Sequence, residues 1–335
     1  MKRILVIGVL ILALAGGAWA QVDYTEFKDS FQDFANHVAN SLPVAASIGL
    51  NWSPAYIGQF PHFGVGLSLG GMFLPYDSIE PIVTALGVGN SIPQALKTYG
   101  LPFPTIAAGA RLGGFLIPFD MGFKFGIIPE SAKSLFSQNV TADYLLIGGD
   151  VRFPLLKGKG WVPTLSVGGG YTFLRGRIGI NDITSGETID ISSIMESRGY
   201  ASGVYELVIT DPDLSFQWDT HTIEAKAQAS WNLLIFTPHL GLGAAYGISK
   251  AGGGLFSSLT VNGTTLADVQ SVFSYYGYPV PTAQGVEVIS KANGFSFWVY
   301  GGTAINIFFV KLDLSAMYNF LNGDYGASVN VRLQF

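Results

Sequence analysis

The sequence contains no cysteine. That excludes a disulfide framework, a metal-thiolate site, a cysteine nucleophile and a lipoprotein-type acylated cysteine. Charge is scarce as well: charged residues are 12% of the 335, and the formal net charge is −5. With an acidic balance and no basic run, nucleic acid is not an expected partner. Beyond the first twenty residues, long apolar runs are also missing. The best helical candidate, 101–119, is broken by Pro102, Pro104, Pro118 and Arg111. It does not supply the ~20 uninterrupted apolar residues that a spanning helix needs.

Hydrophobic residues nonetheless make up 49% of the chain, aromatics 13%, and there are 43 glycines. A soluble protein this apolar needs a large core. A membrane β-barrel instead spreads apolar residues over a lipid-facing surface in alternation, so that no single run looks hydrophobic.

The N-terminus reads as an export signal. Lys2 and Arg3 precede an apolar stretch from Ile4 to Ala15, and Ala18-Trp19-Ala20 fits the small-residue cleavage pattern. Cleavage after Ala20 is expected, giving a signal peptide over 1–20. Losing Lys2 and Arg3 takes the net charge from −5 to −7. An N-terminal anchor is the alternative, but the run is too short for it.

After the signal, Tyr24, Phe27, Phe31, Phe34, Ala35 and Val38 recur at helical spacing, with acidic residues between them. This predicts an amphipathic helix of roughly 16 residues, followed by an irregular stretch over 41–58. From His62 onward the period is two. "GVGLSL", "DMGFKFGI", "LIGGDVRF", "TLSVGGGYTF", "TIEAKAQASWNL", "HLGLGAAYGIS" and "VKLDLSAMYNF" each set aliphatic and aromatic residues against glycine, serine and charge. The closing "GASVNVRLQF" does the same, with Ala327, Val329, Val331, Leu333 and Phe335 on one face. The expected fold is all-β, a transmembrane antiparallel barrel of about ten strands over 61–335. A soluble sandwich also alternates, but a face lined with glycine and polar groups is expected not to form a packed core. Residues 21–60 are left as an N-terminal helix and plug.

Counting back from Phe335, the connections alternate between outer and inner, beginning with a tight outer hairpin at 321–325, and every long one falls on the outer side. Tight inner turns are expected near Pro118, over 156–161, at 236–238 and at 308–309. The connections 177–218 and 250–293 could hide further hairpins at 187–192, 205–210 and 258–266. Twelve or fourteen strands therefore remain open.

The inward face of these strands carries charge. Arg111, Asp120, Lys124, Asp150, Arg152, Lys311, Asp313 and Arg332 fall in the periplasmic half, with Glu224 and Lys226 further along the wall. Opposite signs on neighbouring strands should pair, because an isolated charge in a narrow lumen is costly. They form either a polar constriction that docks the plug or a structural salt-bridge network. Phe27, Phe31, Phe34, Asn51, Trp52 and Pro54 are the residues expected to make the plug. The outer connections 79–104 and 272–281 are unusually apolar, which fits either capture of a hydrophobic ligand or packing as a cap.

An export signal, alternating strands and the aromatic-terminated "VNVRLQF" together resemble a Gram-negative or spirochaete outer-membrane β-barrel. The resemblance implies an outer-membrane location, contact with its lipid, and recognition of the last strand by the barrel-assembly machinery. An N-terminal helix followed by "AASIGLNWSPAYIG" (45–58), a barrel and apolar loops is also similar to the FadL-type long-chain fatty-acid transporters. That implies passive passage of small hydrophobic molecules. A structural or adhesive surface barrel with a closed lumen is the alternative. Asp219-x-His221 resembles the Asp-x-His pair of omptin proteases, but the only Asp-x-Asp, Asp211 and Asp213, lies on the same loop. No enzyme activity is expected, nor any cofactor. The scattered His37, His62 and His239 suggest no metal site.

Overall fold

The computed structural model describes residues 24–49, 51–85, 94–128, 140–180, 187–209, 213–256, 259–276 and 286–335. The signal-peptide expectation for 1–20 and the side chain of Phe27 lie outside what is described.

Ten antiparallel strands close into a barrel. In chain order they are β1 (Phe63–Leu74), β2 (Leu101–Gly113), β3 (Asp120–Ile127), β4 (Val140–Leu156), β5 (Thr164–Ile180), β8 (Asp213–Ser230), β9 (Phe236–Phe256), β11 (Val286–Ile307), β12 (Val310–Asn319) and β13 (Tyr325–Gln334). Neighbours in sequence are neighbours in the wall, and β13 pairs with β1 to seal it, Gly64 opposite Gln334 and Phe73 opposite Tyr325. Phe335 locks this seam. Its amide donates to the Phe63 carbonyl at 2.9 Å, and its ring stacks on those of Phe63 and Phe309.

The alternation sorts as the sequence implies. Val65, Leu67, Leu69, Phe123, Ile223, Leu242, Leu314 and Val331 are all exposed on the outer surface, where a lipid bilayer satisfies them. Rings cluster at both rims of this apolar band: Phe60, Phe63, Phe236, Phe309 and Phe335 at one, Tyr171, Tyr246, Phe295, Tyr318 and Tyr325 at the other. Such girdles mark the two membrane interfaces.

The three segments suspected of hiding hairpins are strands, but not barrel strands. β6 (Glu187–Asp190), β7 (Glu206–Ile209) and β10 (Leu259–Asn262) form a separate three-stranded sheet on the outer side. The helices α4 (Ser192–Ser197) and α5 (Leu266–Tyr275) complete it. Ile191, Met195, Tyr205, Leu207, Val269 and Val272 give it a core of its own, which settles the barrel at ten strands. One inner turn also shifts. The expected turn at 236–238 is strand, and the chain reverses over 231–235, where Leu234 takes a positive φ of 51°. The alternation runs through Trp231 and Leu233 and so conceals the break.

Two expectations about the interior fail. The helix α1 (Tyr24–Ser47) has 24 residues, not about 16, and runs through Pro43. Its stripe of Phe31, Phe34, Ala35, Val38, Ala39 and Leu42 is buried, and the apolar residues that follow continue the burial. Pro43 removes one helical hydrogen bond and crowds the carbonyl of the preceding turn; its ring finds space at Gly247, where a Cβ would lie 2.2 Å from Pro43 Cγ.

The second failure is the glycine face, which is a packed core after all. Inward-pointing Trp298, Tyr300, Trp218, Met72, Phe103 and Met317 pack with α1 in one continuous cluster. The glycines are the sockets for these rings. A Cβ on Gly243 would stand 2.2 Å from Trp298 Cε2, one on Gly241 2.3 Å from Tyr300 Cζ, and one on Gly176 2.3 Å from Trp218 Cζ2. Removing a side chain from one strand makes room for a large ring on the next.

Gly243→Ala must therefore move the Trp298 ring. An overpacked core of this kind loses about 1–3 kcal/mol, seen as a lower urea midpoint for loss of the heat-modifiable folded band. Gly294→Ala, where a Cβ meets nothing within 4 Å, should leave that midpoint unchanged.

Candidate functional site: the plugged lumen

The helix α1 enters at the outer mouth and descends. Near its start Phe31 and Phe34 meet Phe216 at the outer end of β8, with ring centroids 6.0 and 5.2 Å away. At mid-helix His37 Nε2 and Ser41 Oγ both bond Asp324, on the outer hairpin that joins β12 to β13, at 2.9 and 2.5 Å. At its C-terminal end, the Lys124 ammonium donates to the carbonyls of Ala46 and Ile48. Above, α2 (Glu80–Ala85) packs on α1, and Ile79 beside it joins the main core. The apolar outer connection thus caps the helix. Leu86 in that connection lies outside the described residues.

Below α1 the chain crosses the periplasmic half of the lumen as an irregular segment. This is where the predicted charges come together. Arg111 donates to Asp120 at 2.6 Å and to both oxygens of Asp150 at 2.7 and 2.9 Å. Arg152 donates to Asp120 through Nε and Nη2, both at 2.9 Å. Lys226 sits 3.0 Å from Glu224 and 3.9 Å from Asp150. On the facing wall Arg332 donates to Asp313 at 2.6 Å. All eight side chains are buried.

What the wall charges do not give one another, they give to the plug backbone. Arg152 donates to the Pro54 carbonyl at 2.9 Å. Gln228 donates to the carbonyls of Trp52 and Ser53 at 2.7 and 3.1 Å. In the other sense, the amides of Ser53, Ala55 and Ile57 donate to Asp313, Ser230 and Asp120 at 2.7, 2.9 and 3.0 Å. Lys226 reaches Asn51 Oδ1 at 3.0 Å, and Arg332 reaches Ser53 Oγ at 2.9 Å. Trp52 stands between two guanidinium groups, Arg111 at 5.7 Å and Arg332 at 5.1 Å from its ring. Gly64 makes the room: a Cβ there would be 2.9 Å from Trp52 Cζ3. An irregular backbone at membrane depth needs such partners, since lipid offers none.

The structure thus places Arg111, Lys124, Asp150, Arg152, Glu224, Lys226, Asp313 and Arg332 around the plug, and Phe31, Phe34, Asn51, Trp52 and Pro54 within it. Lys311 stands apart. It is half-buried near the periplasmic rim, where it donates to the Phe308 carbonyl at 3.1 Å. Gln228 and Ser230, on the polar face of "TIEAKAQASWNL", also bond the plug, as their inward parity implies. Asp324 lies in the tight outer hairpin between β12 and β13. No local signal marks it, because its partners His37 and Ser41 are more than 280 residues away. Asp219 and His221 are on the outward face, where His221 Nδ1 meets the Tyr171 hydroxyl at 2.7 Å. They do not line the lumen.

These features define a ten-stranded transmembrane β-barrel whose lumen holds an internal plug. No protein-family model matches the chain, and no curated protein sequence does. Among solved structures it is similar to the outer membrane protease OmpT from Escherichia coli, at 9% identity, 83% coverage of this chain, 98% of that one, and TM-score 0.41. The translocator domain of autotransporter NalP from Neisseria meningitidis matches at 10% identity, covering 93% and 100%, with TM-score 0.34. The Ralstonia pickettii toluene transporter TbuX matches at 8%, covering 87% and 92%, with TM-score 0.29. These scores carry no argument about activity.

The charge network makes a sharp contrast between two carboxylate and lysine sites. Asp120→Ala strips Arg152 of its carboxylate and Arg111 of one of its two, and should destabilise the folded barrel by about 3–5 kcal/mol. Lys311→Ala should stay within about 0.5 kcal/mol. Urea titration of the heat-modifiable band reads both.

Proposed function

We propose that the protein is a closed surface barrel, a membrane-anchored platform for the folded module on its outer side. One observation carries this reading. Residues 24–58 occupy the lumen from mouth to base, tied by hydrogen bonds that the wall aims at main-chain atoms. A permanently open channel needs an unobstructed path, and this segment stands in it. The outer module, built from β6, β7 and β10 with α4 and α5, has a hydrophobic core independent of the barrel. It is the part of the chain presented to the surroundings.

A second reading is gated passage of small hydrophobic molecules, which the FadL-type resemblance implies. A structural fact favours it: α1 and the plug add no strand to the barrel ladder. They could withdraw without opening the wall. The network that holds them would then be the gate.

Planar-bilayer recordings separate these readings. The closed-platform account expects the full-length barrel to give no conductance steps, and deletion of 24–58 to give stable ones. Steps from the intact protein, or flux of a hydrophobic solute such as toluene through it into liposomes, would refute the platform and favour gated passage.

A further inference from the structure

A second charged zone lies on the outside of the wall. Along five consecutive strands the outward set changes from apolar to charged at one latitude. On β5, Tyr171 and Phe173 give way to Arg175 and Arg177. On β9, Tyr246 and Ile248 give way to Lys250. On β11, Phe297 and Phe295 give way to Lys291, and on β4 and β8 the change comes at Asp143 and Asp219. Strand register aligns these positions: Asp143 is opposite Arg177, Arg175 opposite Asp219, Asp219 opposite Lys250, and Lys250 opposite Lys291. The belt thus carries four cations and two carboxylates immediately above the aromatic girdle, at the level of the outer headgroups.

The opposite side of the barrel has nothing comparable. The outward residues of β12, β13, β1 and β2 include no charged side chain. The belt is therefore a local feature and not a general rim. It also borders a cavity of about 630 Å³, lined by Arg175, Arg177 and Lys250, by the carboxylates Asp143 and Asp219, and by apolar residues such as Ile289. Arg177 Nε donates to Ser215 at 3.1 Å, which fixes its direction. Among the described residues, Arg175, Lys250 and Lys291 have no carboxylate within ion-pair distance.

We infer that this cavity binds the phosphate-bearing headgroup of an outer-leaflet lipid, with its acyl chains lying on the apolar band below. The chemistry matches at both levels. Arginine forks and lysine ammonium groups are strong phosphate donors, and a net positive belt at headgroup height attracts anionic lipid. The apolar lining and the rings beneath suit hydrocarbon.

The test uses the full-length barrel in neutral detergent, titrated by native mass spectrometry. The probes are a bisphosphorylated glycolipid, the same lipid with both phosphates removed, and inorganic phosphate. The phosphorylated lipid should half-saturate at a concentration about tenfold or more below that of the dephosphorylated one. Arg175→Ala with Lys250→Ala should abolish most of that preference, while Arg175→Lys with Lys250→Arg keeps it. Lys159→Ala, in an inner turn, should change nothing. The heat-modifiable band verifies that each variant is folded. Equal binding of the two lipids, or an undiminished preference in the double alanine variant, would overturn the assignment. So would inorganic phosphate competing as well as the lipid does, since that describes an anion pocket and not a lipid site.

Discussion

A charge inside a membrane barrel has to be matched, and much of this structure follows from that requirement. Taking an ion out of water costs several kcal/mol even after relaxation. Arg111, Asp120, Asp150, Arg152, Asp313 and Arg332 are all buried in the periplasmic half. Their mutual pairs satisfy part of the demand, and the main chain of 51–57 takes much of the remainder. The dependence runs both ways. The plug backbone has no ladder of its own, so its amides and carbonyls need the wall's polar groups as much as the wall needs them. In the folded barrel, wall and plug satisfy each other; with the plug gone, water filling the lumen takes over the wall's half of these bonds.

The glycine sockets solve the matching problem for volume. A ten-stranded barrel holding a helix has little space between wall and helix. Large inward rings fit where the adjoining strand has no side chain, as Trp298 does at Gly243, and the plug's Trp52 likewise packs against Gly64. Electrostatics fixes the lower half of the lumen and packing the upper half, and the chain passes from one regime to the other near Lys124. That side chain is buried and holds the end of α1.

The wall was legible in the sequence because lipid enforces a strict period of two. The inward charges, the closing strand and the side of the long connections all followed from that parity. Three things did not follow. The glycine-rich inner face looked too empty to be a core, because alternation reports a residue's own side and not the ring its neighbour leans into the gap. The last turns of α1 were hidden by Pro43, a residue that normally ends helices and is accommodated here by the buried stripe and by the space at Gly247. Asp324 looked like an ordinary turn residue, because its partners are brought close only when the helix enters the barrel.

The absence of cysteine offers a direct measurement of the central claim that residues 24–58 fill and close the lumen. Ala55 is fully buried in the plug, and Ala55→Cys would be the protein's sole thiol. In the folded barrel, reconstituted and exposed to a small membrane-impermeant maleimide from both faces, that thiol should stay unlabelled until the barrel is denatured. Rapid labelling of the folded protein would contradict the account.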